Sequence, residues 1–263
     1  MGIESILSNS EVVGRHYDGA SADACRVLGG PRHQYHVGLF DATLDLRRAQ
    51  DRLTEEVGER LGALGSARIL DVGCGVAGPA CTLAHRYGWN IAGVTVSRVQ
   101  VAEARGVIAA LGCGTGQVRV LGADAHFLPF RSNTFDGAYA IESLAHFIDR
   151  GRAISECARV LRRGGRLALW DLVAGEACRS AFAMLHLGSL DDYIELCQLA
   201  GFEVLYAKDR AAEVLPRTLE HFKLLLDPLV HAATLRCCAD FLAAFESGDL
   251  GYALVVAQLT RKP

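Results

Sequence analysis

Residues 69–80 read ILDVGCGVAGPA: an apolar stretch, an aspartate, then glycines spaced G-x-G-x-x-G. Asp71, Gly73, Gly75 and Gly78 thus stand where a strand would turn into a helix, and glycine there lets backbone approach a ligand closely. A dinucleotide site carries an acid about 20 residues further on for a ribose hydroxyl, but that region is Thr95-Val96-Ser97. A phosphate loop continues into Gly-Lys-Ser/Thr, and nothing of the kind follows Gly78. Asp71 would repel a pyrophosphate and suits a cationic ligand instead. Further along, Glu142 and His146 are four residues apart, a spacing that puts both on one face if the chain turns helically there. Asp171 ends a later apolar run. A histidine with a carboxylate to orient it can take a proton from a hydroxyl.

These residues need strands and helices to hold them. ARILDV (67–72) is a short strand, and 78–88 reads as the helix after it. NIAGVTV (90–96) is a second strand, followed by Ser97-Arg98-Val99-Gln100 in the form of a capping box. The helix it opens shows Val101, Ala104, Ile108 and Leu111 on one face and stops at Gly112. QVRVLGAD (117–124), FDGAYAIE (135–142) and RLALWDL (166–172) are further strands, with a helix through Ile154, Ala158 and Leu161 that ends at Gly164-Gly165. A helix over 191–200 precedes the strand FEVLYA (202–207), and YALVVAQLT (252–260) is the last strand. Apolar residues from Leu46 to Leu64 give a helix over 44–64 ahead of the first strand. Alternating strands and helices predict a mostly parallel α/β sheet covered on both faces. Residues 1–65 and 208–250 fall outside that alternation and are expected to cover or shape a site.

Composition narrows the partners. A net charge of −3 and the lack of a long basic run argue against nucleic acid, and no run of 18 apolar residues is present to span a membrane. The N-terminal residues lack the basic and apolar regions of a secretory signal. Nine cysteines without a CxxC pair read as reduced, mostly buried residues, so a cytoplasmic location is expected.

Six ordered stretches resemble one family. LDVGCGVAG, GVTVS, GADAHFLPF, FDGAYAIESLAHF, ARVLRRGGRLALWD and LAGFEV are similar to the successive motifs of the class I S-adenosylmethionine (SAM) dependent methyltransferases. The resemblance covers roughly 10–263 and is nearest to the small-molecule branch, which includes sterol, tocopherol and terpenoid methyltransferases and natural-product sugar O-methyltransferases. It implies a Rossmann-like fold: a mostly parallel seven-stranded sheet with helices on both faces and a helical cap. Residues 1–65 would be a helical lid, and 66–263 a SAM-binding core with substrate-cap insertions at about 173–190 and 208–250.

SAM is then the implied cofactor, with no metal. Asp71, Gly73, Cys74 and Gly75 would border its methionyl and ribose parts, Cys74 as a small filler. The ribose hydroxyls fall to Thr95, Ser97 and Gln100; the capping box alone also accounts for Gln100. Asp124 would accept a hydrogen bond from the adenine amino group, with Ala125 beside it. Tyr17 and His36 would fold over SAM from the lid.

For catalysis the resemblance implicates His146, Asp171 and Glu142. The sugar O-methyltransferases carry a His-His pair where this chain has Ala145-His146; a His146–Asp171 base pair survives that departure. Glu142 either lines the methionyl end of SAM or, as in C-methyltransferases, faces a cationic carbon. Leu39 and Arg163 also depart from the family pattern.

O-methylation of a small, fairly apolar metabolite is the favoured expectation. C-methylation of an olefinic, terpenoid or aromatic carbon, and a non-methylating binding protein or cyclase on the same fold, are the alternatives. The acceptor is expected against 208–250, where most of Leu215, Leu219, Phe222, Leu225, Leu226, Leu229 and Leu235 would be ordinary core and a minority would wall an apolar pocket, and against 178–190 through Phe182, Met184 and Leu185. A homo-oligomer is left open.

Overall fold

The computed structural model describes residues 2–19, 22–41, 45–62, 65–114, 116–175, 178 and 185–262, apart from the side chain of Ser8. Its strands are β1 (Arg68–Val72), β2 (Asn90–Thr95), β3 (Val118–Gly122), β4 (Phe135–Ile141), β5 (Leu161–Ala174), β6 (Phe202–Asp209) and β7 (Leu250–Leu259). They form one sheet in the order β3-β2-β1-β4-β5-β7-β6. The first five pair in parallel, and β7 enters antiparallel between β5 and β6. This is the expected Rossmann-like, mostly parallel sheet.

The sheet is covered on both faces because its strands alternate. Ile69 packs in one cluster with Leu53, Val57 and Leu83, whereas Leu70 and Val72 pack in the other with Ile154 and Leu169. A strand buried on both sides reads as a nearly unbroken apolar run, and β7 is buried along its length except at Gln258.

Before β1 lie α1 (Ile3–Asp18), α2 (Ala22–Gly29) and α3 (Leu46–Leu61). The Asp45 side chain accepts the Arg48 N–H and caps α3, which ends at Gly62 in the left-handed conformation. The expected ends at Leu44 and Leu64 lie outside the described residues. α4 (Gly78–Tyr87), α5 (Arg98–Ala110), α6 (Arg150–Val160) and α7 (Leu190–Leu199) connect strands, while α8 (Ala211–Leu225) and α9 (Ala232–Glu246) occupy the long segment between β6 and β7.

One expected boundary shifts. The helix before β5 ends at Val160, not at Gly164-Gly165. Leu161 already pairs with Phe135, and the register then slips before Gly137 meets Arg166. The glycines therefore absorb a bulge inside β5, a common use of glycine in strands.

Strand order reverses between β1 and β4, each of which begins a run to one side. In an open parallel sheet the crevice at such a reversal, at the carboxyl ends of the strands, is where ligands bind. The loops after β1 and β4 carry Gly73 and Glu142 to that crevice.

Candidate active site

A cavity of about 790 Å³ opens at the carboxyl ends of β1, β2, β4 and β5. Its lining includes Asp71, Gly73, Cys74, Gly75, Thr95, Gln100 and Ala125, together with Tyr17, His36, Glu142, His146 and Asp171. Ser97 and Asp124 are not in the lining.

The three loop glycines have three different reasons. A Cβ on Gly73 would come within 2.3 Å of the Ser143 Cβ, and one on Gly78 within 2.2 Å of the His33 carbonyl oxygen. Protein, not ligand, lies against these two. At Gly75 a Cβ would meet only Gln100 Nε2, at 3.9 Å, so this glycine alone presents open space. Gly73 and Gly75 also have positive φ, at 80° and 53°. Cys74 fills space beside Gly93, and burial holds its thiol well above the usual range, as an inert filler.

Hydrogen bonds revise the polar contacts. Ser97 does accept the Gln100 N–H at 3.0 Å, but the reciprocal half of the capping box is missing. Gln100 Oε1 instead accepts the Thr95 hydroxyl at 2.7 Å, and the Ser97 N–H goes to Thr95 Oγ1. The Ser97 hydroxyl donates to Asp18. Asp124 accepts the Ser10 hydroxyl at 2.6 Å, the His126 N–H at 2.9 Å and His126 Nδ1 at 2.6 Å. Burial alone would raise the Asp124 carboxyl, but the bonds from His126 and Ser10 outweigh it and hold it low. His36 is a satisfied structural histidine: Nδ1 meets the Val37 carbonyl at 2.7 Å and Nε2 the Thr54 hydroxyl at 3.1 Å. Burial lowers it to about 4, so it stays neutral.

Glu142 and His146 do not share a helical face. Only a short 3₁₀ turn, Leu144–His146, forms there, and Glu142 sits at φ 50°, a conformation costing about 1–3 kcal/mol for a non-glycine residue. What holds it is a set of long-range bonds. Glu142 Oε1 accepts the Val37 N–H at 2.7 Å and the Tyr252 hydroxyl at 2.8 Å, and its own N–H donates to the Trp170 carbonyl at 2.8 Å.

The expected His146–Asp171 pair is also corrected. The Asp171 carboxylate accepts the backbone N–H groups of Ala145 at 3.0 Å and Leu172 at 2.9 Å, with that of Leu144 beside them. Asp171 thus anchors the turn that carries His146. The imidazole Nε2 lies 2.8 Å from the Tyr17 hydroxyl, with the two rings edge-on at 5.5 Å.

Several partners were invisible in the sequence. Asp71 accepts the Tyr139 hydroxyl at 2.7 Å; the two residues face each other because β1 and β4 pair Asp71 with Tyr139, a register no local pattern reveals. On α1, Ser10, Tyr17 and Asp18 each bond a residue of the site region, and a seven-to-eight-residue spacing returns to the same helix face. The apolar residues of 208–250 divide as well. Leu215, Leu219 and Phe222 of α8 are buried in the core, while Leu225 is 43% and Leu229 94% exposed; none of them lines the cavity. Phe182 and Met184 lie outside the described residues, and Leu185 does line it.

The donor set suits a cationic ligand. Burial pushes the carboxyls of Asp71, Glu142 and Asp171 each up to about 7, and among the described residues Arg26 is the only lysine or arginine in the lining. The space open beside Gly75, next to Thr95 and Gln100, adds hydrogen-bonding groups for hydroxyls. These features fit SAM: carboxylates for its positive charge, amide and hydroxyl groups for its ribose. Among the described residues, no group of three His, Cys, Asp or Glu is placed to hold a metal ion, and no helix is long and apolar enough to cross a membrane.

Known proteins share this architecture. Residues 70–169 match the family model described as "Methyltransferase domain". The chain is 37% identical over 259 residues to the O-methyltransferase cnsE of Penicillium expansum, covering 94% of this chain and 91% of that one. It is 34% identical over 271 residues to the 27-O-demethylrifamycin SV methyltransferase of Amycolatopsis mediterranei, covering 95% and 97%. The crystal structure of the [4+2]-cyclase SpnF superposes with a TM-score of 0.81 at 32% identity, over 97% of both chains.

Proposed function

The chain belongs to the small-molecule S-adenosylmethionine-dependent methyltransferases, and we propose that it methylates a hydroxyl oxygen of a natural-product-type metabolite, with His146 as the base. The observation that carries this reading is the Tyr17–His146 hydrogen bond inside the cavity. Bound SAM supplies an electrophilic methyl carbon; the chain must supply orientation and a route for the acceptor's proton. Holding the two partners in line can contribute effective molarities on the order of 10⁵–10⁸ M.

Burial keeps the Tyr17 phenol protonated. For His146 to act as the base, its Nε2 accepts the Tyr17 O–H, while the phenol oxygen accepts from an acceptor hydroxyl. In that arrangement the acceptor's proton passes to the Tyr17 oxygen as the phenol proton passes to the imidazole and the methyl carbon bonds the acceptor oxygen. Asp171 holds the turn beneath His146. Asp71 and Glu142 face the cofactor's positive charge, and Thr95 and Gln100 its ribose. A small molecule rather than nucleic acid fits the net charge of −3, and nine free thiols fit a reducing, cytoplasmic setting.

Incubation with SAM and a panel of hydroxylated polyketides, macrolactones and terpenoids tests this, read as release of S-adenosylhomocysteine (SAH) with a mass gain on oxygen. Methylation only of carbon would overturn the oxygen assignment. The likeness to SpnF favours one second reading, ring closure without methyl transfer. It is separated by the same assay, since a cyclase leaves SAM unconsumed and the product mass unchanged.

Two further results are expected. The raised carboxyls are more protonated folded than unfolded between about pH 4 and pH 7, so they stabilise the chain at low pH and that contribution is lost as pH rises to about 7. Ionised, they attract a sulfonium. The ratio of SAH to SAM dissociation constants should therefore rise between about pH 6 and pH 8, as measured by calorimetry. SAH is the control because it lacks only the methyl and its charge. A flat ratio would remove Asp71 and Glu142 from charge recognition.

For Asp124, the adenine amine would share Oδ2 with the Ser10 hydroxyl, since both His126 donors occupy Oδ1. Asp124→Ala should then weaken SAM by about 1–3 kcal/mol. An unchanged dissociation constant reduces Asp124 to an anchor for α1.

A further inference from the structure

The cavity runs along the sheet from a polar to an apolar end. Asp71 lies near the end of β1 and Thr95 ends β2, whereas Leu172 belongs to β5, two strands away from β1, or about 10 Å at the usual strand spacing. Beyond Leu172 the lining is Leu185 with Cys237 and Phe241 of α9. Cys237 and Phe241 are four residues apart and so share one helix face. Their neighbour Cys238 turns away into the core. Among the described lining residues the one guanidinium, Arg26, is paired with Glu103 at 2.7 Å and lies near Asp23 at 3.5 Å. An anionic acceptor would thus find no unpaired fixed cation among the described lining residues, and would face the carboxyls of Glu142 and Asp171.

We propose, resting on the O-methylation reading above, that the acceptor is an uncharged, largely apolar alcohol and that Cys237 and Phe241 of α9 set which scaffolds fit. The hydroxyl reaches Tyr17 and His146 at the middle of the cavity, and the scaffold packs between Leu185 and α9. Phosphorylated or carboxylated acceptors are excluded by charge rather than by size. Both residues stand on α9 and neither belongs to the glycine loop, so changes there alter the acceptor and leave the cofactor alone.

The test uses SAH-saturated protein and two apolar dyes of opposite character, neutral Nile red and the anionic sulfonate 1,8-ANS. Nile red should bind saturably. Cys237→Trp, which fills the apolar end, should weaken it at least about tenfold, and Phe241→Ala should change its affinity by about three- to tenfold, in the range one or two methylene contacts command. The SAH dissociation constant should stay within about twofold in both. ANS should bind weakly and ignore both substitutions. Leu229→Ser, on the exposed apolar loop before α9, should leave Nile red unaffected.

Nile red binding that survives both α9 substitutions, or is lost in Leu229→Ser, overturns the proposal, as does ANS binding that the α9 substitutions abolish. If Cys237→Trp fails to fold, Cys237→Met and Phe241→Ala decide by the same measurement. Failure of the methyltransferase reading looks different: SAH itself would not bind.

Discussion

His146→Ala should lower turnover by about 10²–10⁴-fold, the usual contribution of a positioned general base, while SAM affinity stays nearly intact. Tyr17→Phe keeps the ring that meets the imidazole edge-on and removes only the hydroxyl 2.8 Å from Nε2. If the two act as one unit, the single losses should be similar and the double variant little worse than either, because groups sharing one step are strongly non-additive. Asp171→Asn should cost less than either. It retains one acceptor oxygen for the Ala145 or Leu172 N–H and acts on the base only through the turn. Single-turnover rates and SAM titrations on the same variants separate the roles: a Tyr17→Phe variant that loses SAM affinity at an unchanged rate makes Tyr17 a cofactor contact. Full activity in His146→Ala would leave that residue a structural histidine and the hydroxyl assignment without a base.

Gly73→Ala should be far more damaging than Gly75→Ala. Its new Cβ would stand 2.3 Å from the Ser143 Cβ at a φ of 80°. The left-handed conformation costs about 1–2 kcal/mol and overpacking about 1–3 kcal/mol, so a loss of about 2–5 kcal/mol in stability is expected, visible as a large drop in the thermal midpoint and in SAH binding. Ser143→Gly in the same chain removes the collision and should recover part of the loss; the φ penalty and the lost bond from the Ser143 hydroxyl to the Val72 carbonyl remain. Gly75→Ala offers the contrast. Its Cβ meets no protein atom closer than 3.9 Å, so folding should largely survive while SAH binding weakens. Equal damage at both glycines would mean that the backbone conformation, and not the contact with Ser143, is what the loop requires.

The sequence by itself determined the strand–glycine–helix unit at 67–88, the alternation that makes a parallel sheet, and the exclusion of dinucleotide and phosphate loops by Thr95-Val96-Ser97 and the missing lysine. Such features are written in neighbouring residues, through periodicity, turn chemistry and the few conformations glycine alone adopts easily. Element ends were legible where a cap marked them, as at Ser97 and Gly112. They slipped at β5, where Gly164-Gly165 looked like a helix stop but serves a bulge. The tertiary structure alone decided which side chains meet. Asp71 finds Tyr139 through the register of β1 on β4, His146 finds Tyr17 across 129 positions of chain, and Glu142 is drawn out of a helical turn by Val37 and Tyr252. It also sent the apolar face of α8 into the core and gave the cavity wall to α9, two helices whose apolar patterns look alike in sequence. Local pattern records that a face is apolar or a group can donate; which surface it meets depends on strand order, register and chain closure, which no single segment contains.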